Sequence, residues 1–230
     1  LIKKDNWKLK KRDYSYVIVA GIILAIHWFT FLQAIQIATV AIGTITFATF
    51  PIFVTFLEPL IYHEKLEIKN VTMAIIMFAG VLITVPEFSL ANQMTLGIVV
   101  GMISAFSYAI LCLFNRYLSL NYSGIIICLY EQGVATIILF PTIFFVTTTI
   151  NSLDLGAKIF LGIVCTAIGD SIYVNSLKKI KVQTASIISS MESVYSIIFA
   201  FLLLNETLAF IELLGGLIII GVAIYLSFNN

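Results

Sequence analysis

The sequence predicts an all-α membrane protein of about eight transmembrane helices built from two inverted repeats. Its composition is 60% hydrophobic and 11% charged, whereas soluble domains are about 45–50% apolar and about one quarter charged. The apolar residues fall into runs of roughly 20 residues, the length at which a helix crosses a bilayer. In addition, the first third of the chain has a helix, a short link, a helix that ends in Glu and a glycine-bearing helix, and the same order recurs near the end of the chain.

These runs must be helices. Lipid cannot satisfy backbone N–H and C=O groups, so only helices and closed barrels cross it, and barrel strands would alternate between polar and apolar residues. The predicted spans are residues 15–37, 40–62, 69–86, 95–117, 123–148, 156–178, 183–204 and 208–228. They use nearly the whole chain, which predicts a single polytopic membrane domain, 1–230. Residues 1–86 are the latter part of the first repeat, and residues 94–230 are the second repeat.

The first span follows six Lys and Arg residues. A basic start before an apolar run is typical of a signal peptide, but this run is too long and has no A-x-A cleavage site, so we expect a retained helix. In the second span, Pro51 predicts a kink near Phe47, where Thr46 and Thr49 can satisfy backbone groups.

In the fourth span, small residues recur every four positions: Gly97, Gly101, Ala105 and Ala109. Such a ridge lets another helix approach closely. It is common in membrane proteins of every kind, so we interpret it as a packing feature.

The basic residues predict the orientation. With Leu1–Tyr14 in the cytoplasm, twelve of the thirteen Lys and Arg residues fall in cytoplasmic segments, and only Lys158 lies outside. Cytoplasmic loops carry the excess of Lys and Arg. Both termini are therefore predicted to be cytoplasmic, as an even number of spans requires.

The internal repeat is fixed by two glutamates. Glu64 and Glu206 each end a helix and precede a glycine-bearing helix, and they lie 142 positions apart. The same offset pairs Phe31 with Tyr173. Because the predicted topology places the two glutamates on opposite faces of the membrane, the copies are inverted, an arrangement frequent in carriers.

These repeats resemble the EamA-type members of the drug/metabolite transporter superfamily. The family half-repeat, "lePvfa" followed by "l-x-E" and a "GxxLIxxG" helix, is similar to Ala48–Phe53 and Tyr62–Glu64, and again to Met191–Tyr195, Leu204–Glu206 and Gly215–Gly221. The copies depart from it in having Phe50 in place of Glu and Ser193 in place of Pro. The resemblance implies ten spans in two halves, of which this chain would supply spans three to ten and lack the first two.

Ionisable groups at membrane depth are costly and are functional candidates by default. Glu131, Asp170 and Glu192 lie on three different spans at roughly 12–15 Å from the predicted cytoplasmic helix ends, near the middle of a hydrocarbon core about 30 Å thick. We predict that they line one cavity as substrate- or proton-binding groups. The alternative is that each is a neutral, hydrogen-bonded acid that fixes helix packing. Glu58 lies nearer a helix end and is interpreted as an interfacial cap.

Three aromatic or imidazole groups complete the candidate site: Tyr173 beside Asp170, Trp28 at the position equivalent to Asp170, and His27 next to it. For Trp28 and His27 the alternative is packing. No Lys or Arg is predicted at this level, so a proton or a cationic substrate would neutralise the carboxylates. The spacing of Cys, His and acidic residues indicates neither a metal site nor a disulfide.

We therefore predict a secondary carrier that moves small metabolites or drugs by alternating access, an exporter by resemblance, with proton coupling as a further hypothesis. The expected location is the bacterial inner (plasma) membrane, and the expected partners are lipid, a small-molecule substrate and protons, without nucleic acid or a cofactor. Two alternatives are a truncated, non-transporting helix bundle or assembly partner and a membrane-embedded enzyme. The second is disfavoured because HExxH, GxSxG and phosphate-loop motifs are absent. The oligomeric state is left open.

Overall fold

The computed structural model describes residues 8–63, 66, 68–84, 89, 91–145, 152–189, 191–204 and 209–229. These residues form helices, and no strand occurs within those ranges, which confirms the predicted all-α fold class. Within the described ranges, six helical segments are long and apolar enough to cross a membrane. The shorter apolar helices Val71–Ile83 and Leu213–Val222 lie at the third and eighth predicted spans.

In chain order, the helices are α1 (Asp13–Ile37), α2 (Val40–Phe47), α3 (Phe50–Tyr62), α4 (Ile68–Thr84), α5 (Gln93–Ser119), α6 (Gly124–Leu139), α7 (Ser152–Phe160), α8 (Ser171–Ser176), α9 (Val182–Ser189), α10 (Met191–Leu204) and α11 (Phe210–Asn229). A 3₁₀ segment, Phe140–Phe145, follows α6, and a π-helical segment, Leu161–Asp170, joins α7 to α8. The chain divides into two compact units. The first contains Leu1–Ala25 and Leu111–Ile180, and the second contains Ile26–Ile110 and Lys181–Asn230.

The second predicted span is interrupted where Pro51 requires it. Helix α2 ends at Phe47, and α3 begins at Phe50 with the proline in its first turn. The predicted threonines satisfy the backbone at this break. Thr49 donates through Oγ1 to the carbonyl of Thr46 at 2.6 Å, and Thr46 donates to the carbonyl of Ile42 at 2.8 Å.

Within the second unit, the helix pair α2 and α3 runs antiparallel to the pair α9 and α10, because α2 packs against α10 and α3 packs against α9. Near the end of α3, Glu58 accepts hydrogen bonds from the N–H groups of Val182 (3.0 Å) and Gln183 (2.9 Å), which begin α9. Near the start of α10, Ser193 donates to the Thr44 carbonyl in α2 at 2.8 Å. The end of the first pair thus meets the beginning of the second.

The start of α2 at Val40 and the start of α9 at Val182 lie 142 residues apart, the offset that the sequence predicts for the repeat. The repeat itself stays a prediction. The two residues that fixed the offset, Glu64 and Glu206, lie outside the described residues.

The small-residue ridge of α5 does pack closely against neighbouring segments of the chain. A β-carbon at Gly97 would lie 2.6 Å from that of Ala38, and one at Gly101 would lie 3.0 Å from Thr46. Ala105 and Ala109, further along the ridge, are fully buried. Helix α4 meets α11 in a similar way, because a β-carbon at Gly80 would lie 3.1 Å from the Gly215 carbonyl oxygen.

Candidate functional site

The most buried of the predicted carboxylates lies in the first unit. Glu131 on α6 is 2% exposed, and its neighbour Asn115 on α5 is 4% exposed. The Asn115 amide donates through Nδ2 to Oε1 of Glu131 at 3.4 Å. Among the described residues, Oε2 of Glu131 and Oδ1 of Asn115 have no hydrogen-bond partner. Buried oxygen atoms without a donor are rare and call for a chemical explanation.

Close packing around α6 holds this carboxylate in the interior. A β-carbon at Gly21 of α1 would lie 2.8 Å from the Glu131 carbonyl oxygen and 2.5 Å from the β-carbon of Val134. At its start, α6 is tied to the end of α8, since Gly124 donates its N–H to Oδ1 of Asn175 at 2.9 Å. Helices on both sides therefore fix the position of Glu131.

Asp170 lies beside the same helix. Gln132, which follows Glu131 in the chain, donates through Nε2 to Oδ2 of Asp170 at 3.0 Å. Asp170 is the last residue of the π-helical segment, where Thr166 donates through Oγ1 to the Leu161 carbonyl five residues earlier, at 3.0 Å. Insertions of π geometry into α-helices occur frequently at functional sites.

Tyr173 lies one turn beyond Asp170, and its hydroxyl contacts Sγ of Cys112 at 3.3 Å. Cys112 precedes Asn115 by three residues on α5. The predicted residues Glu131, Asp170 and Tyr173 thus belong to one unit. They form a polar group with side chains of α5, and they lie on α6, the π-helical segment and α8, respectively.

His27, in the second unit, is 6% exposed. Its Nδ1 atom lies 2.9 Å from Oγ of Ser104 and 3.2 Å from the Ser104 carbonyl oxygen. Its ring packs against Tyr108 at a centroid distance of 4.7 Å and against Phe47 at 5.2 Å. Phe50 stacks on Phe47 at a centroid distance of 5.1 Å. Within this unit, His27 therefore belongs to a packed aromatic cluster anchored by one serine.

The remaining two predicted residues also belong to the second unit and are less enclosed. Trp28 is partly exposed on α1, and Glu192 is exposed on α10. Glu192 shares its side of the helix with Tyr195 and Phe199, which are 59% and 57% exposed. The opposite side of α10 buries Ser193. The grouping of Glu192 with the other two carboxylates stays a prediction.

Three polar partners were missed by the sequence analysis: Asn115, Gln132 and Ser104 contact Glu131, Asp170 and His27, respectively. Asn115 and Gln132 are uncharged amides inside apolar spans. A search for every hydrogen-bonding side chain at membrane depth, rather than for ionisable groups alone, would have included both. Ser104 carried no distinguishing pattern, because serine is frequent in membrane helices.

The described residues contain neither a cluster of metal ligands nor a polar groove outside this group. No three His, Cys, Asp or Glu side chains in the described part of the chain are grouped as metal ligands. A groove of about 440 Å³ lies between α4 and α5 and is lined mainly by apolar residues, among them Phe78, Met102 and Phe106. It contains none of the predicted site residues.

Comparison with known proteins agrees with this description. The family model of the EamA-like transporter family matches residues 1–85 and 95–228. A curated relative from Archaeoglobus fulgidus, named an uncharacterized transporter, is 28% identical over 192 residues, which are 84% of this chain and 68% of that protein. The uncharacterized transporter YxxF of Bacillus subtilis is 26% identical over 202 residues, which are 85% of this chain and 63% of that protein.

A solved crystal structure shares the fold. It superimposes with a TM-score of 0.71 at 15% sequence identity and covers 97% of this chain and 78% of its own. The all-helical architecture is thus that of a known fold, and at this identity the likeness concerns the fold alone.

Proposed function

The chain belongs to the EamA-like transporter family, and from that membership we propose that it is a secondary carrier of small metabolites or drugs that works by alternating access. The relatives are named as transporters rather than as enzymes. By the resemblance of its repeats, the direction is export. The proposed location is a bacterial inner (plasma) membrane with both termini in the cytoplasm.

The observation that carries this proposal is the antiparallel contact of α2 and α3 with α9 and α10. Glu58 accepts a hydrogen bond from the first residue of α9, and Ser193 of α10 donates one to a carbonyl of α2. Carriers with inverted repeats place their substrate sites near broken helices at the repeat interface. The interruption at Pro51 and the spacing of 142 residues between the starts of α2 and α9 support that architecture.

The carboxylates favour a cationic or neutral substrate. Glu131 and Asp170 belong to neighbouring helices of one unit, and the uncharged amides of Asn115 and Gln132 donate hydrogen bonds to them. A cation or a proton is needed to balance carboxylates in a medium of low dielectric constant. Exchange of a bound substrate cation for a proton at these carboxylates is the physical basis of proton-coupled export.

The test is gradient-driven flux in proteoliposomes that contain the full chain. Ethidium serves as the cationic probe, a mixture of radiolabelled amino acids serves as the zwitterionic probe, and entrapped pyranine reports protons. We expect a pH gradient to drive movement of at least one probe, with Asp170→Asn reducing flux at least tenfold while the protein stays folded. Folded protein that moves none of the probes would overturn the proposal in favour of a non-transporting helix bundle.

A further inference from the structure

Two buried side-chain oxygen atoms of the first unit have no hydrogen-bond donor among the described residues. Oε2 of Glu131 and Oδ1 of Asn115 belong to side chains already in contact, and both side chains are more than nine-tenths buried. An unpaired buried acceptor costs about 1–3 kcal/mol, and an ionised one costs more. Two such atoms in a single contacting pair require a shared explanation.

A single proton bound to Glu131 gives both oxygen atoms a hydrogen-bond partner. An ionised carboxylate only accepts hydrogen bonds, whereas a protonated one also donates one. Protonation of Glu131 therefore turns one unpaired acceptor into a donor. The other unpaired acceptor, the Asn115 carbonyl oxygen, is on the side chain that Glu131 already contacts.

The surroundings of Glu131 offer no other source of charge balance in the described part of the chain. The titratable groups that act on it are Asp170 from the π-helical segment, Cys128 from its own helix and Cys112 from α5. Two are thiols, which are weak donors, and the third is another acid. The Tyr173 hydroxyl on α8 forms its hydrogen bond with the Cys112 thiol. The Tyr14 ring on α1 packs on Tyr130.

The two carboxylates differ in their partners. Asp170 receives a hydrogen bond of 3.0 Å from Gln132, which suits an ionised acceptor. Glu131 receives a bond of 3.4 Å from Asn115 on one oxygen, near the limit at which such a contact counts as a hydrogen bond. The longer hydrogen bond thus belongs to the more deeply buried acid.

We propose that Glu131 is the proton-binding group of this protein, holding a proton that it shares with Asn115 while Asp170 stays ionised. Its use in coupling rests on the proposed carrier function. There, a substrate cation that binds to Glu131 and Asn115 releases one proton to water, so the charge at the site is conserved. The protonation itself does not depend on transport.

The experiment is infrared spectroscopy of the full chain in lipid vesicles, which separates the C=O stretching band of a protonated carboxylic acid from carboxylate bands. At pH 7 we expect a carboxylic-acid band that is lost in Glu131→Gln and retained in the matched variant Asp170→Asn. In Asn115→Ala, which keeps Glu131, we expect the band to shift to higher frequency because its hydrogen-bond partner is gone.

Three outcomes would overturn the proposal: absence of the band in the folded wild type, its persistence in Glu131→Gln, or its loss in Asp170→Asn instead. If Glu131→Gln does not fold, the band shift in Asn115→Ala decides the question, and an unshifted band overturns the proposal. A band that behaves as expected in a protein without flux would retain the proton site and reject the carrier function.

Discussion

Glu58 and Val182 lie 124 positions apart in the chain and are joined by a hydrogen bond of 3.0 Å between the carboxylate and the backbone N–H. With the bond from Gln183, this contact caps a helix whose preceding residue, Lys181, offers no side-chain acceptor. Helix α2, which lies 142 residues earlier in the chain, is capped locally, since Thr39 accepts from the N–H of Ile42 at 3.1 Å. Helix α2 thus has a cap from its own segment, whereas α9 is capped by a carboxylate from α3.

Removing the Glu58 carboxylate should destabilise the second unit. Loss of an N-cap costs about 0.5–2 kcal/mol, and Glu58 is buried with charge-assisted bonds to two N–H groups. We therefore expect Glu58→Ala to lower the free energy of unfolding by about 1–2 kcal/mol and to speed hydrogen exchange at Val182 and Gln183. Exchange at Ile126, in the first unit, is the internal control. Unchanged protection of Val182 would show that the cap contributes nothing.

The glycine ridge predicts a matched pair of substitutions. A β-carbon at Gly101 would lie 3.0 Å from Thr46, whereas one at Gly133 would meet nothing within 4 Å. Gly101→Leu should lower the free energy of unfolding by about 1–3 kcal/mol, the usual cost of overpacking. Gly133→Leu should leave it unchanged or raise it, because glycine weakens a helix. Thermal unfolding in detergent checks both, and equal melting temperatures for the two variants would contradict close approach at Gly101.

Tyr122 gives a pH-dependent prediction. Its hydroxyl donates to Asp13 at 2.6 Å and accepts from the N–H of Lys10 at 3.0 Å. Burial, together with the bond to Asp13, raises the pKa of Tyr122 above its usual value of 10.0. The unfolded chain then releases this proton first, so the stabilisation is complete below pH 10 and declines as the pH rises through the folded-state pKa.

Tyr122→Phe should lower the free energy of unfolding by about 1–2 kcal/mol at pH 7. The difference from the wild type should shrink above about pH 10. Denaturant unfolding at neutral and alkaline pH measures this. A difference between the two proteins that grows with pH would mean that the pKa is shifted in the opposite direction.

The antiparallel helix pairs predict that the ends of α3 and α10 lie on opposite sides of the membrane. A cysteine at position 206 should react with an impermeant maleimide on intact cells, and a cysteine at position 64 should react only after lysis. Both are introduced into a chain in which Cys112, Cys128 and Cys165 are replaced by alanine. Reaction of position 64 alone on intact cells would reverse the proposed orientation, and equal reaction of both would reject the inverted arrangement.

Much of this architecture was predictable from the sequence because a bilayer limits the possibilities. The length and apolarity of the runs determined that the chain is helical, since lipid leaves few ways to satisfy the backbone. Pro51 predicted the break between α2 and α3, where it removes a donor. Gly97 and Gly101 predicted a close approach, because only small residues permit one. Glu64 and Glu206 indicated an offset of 142 residues, which also separates the starts of α2 and α9.

The partners of the polar side chains were decided only by the tertiary structure. These helices are apolar on most sides, so the sequence does not mark which face of each turns inward. The contacts of Glu58 with α9, of Asn115 with Glu131 and of Ser104 with His27 depend on the rotation of each helix about its axis, which packing between distant segments sets. For the same reason, the sequence identified Glu131 as an acid at membrane depth, whereas its burial beside Asn115 is a property of the folded protein.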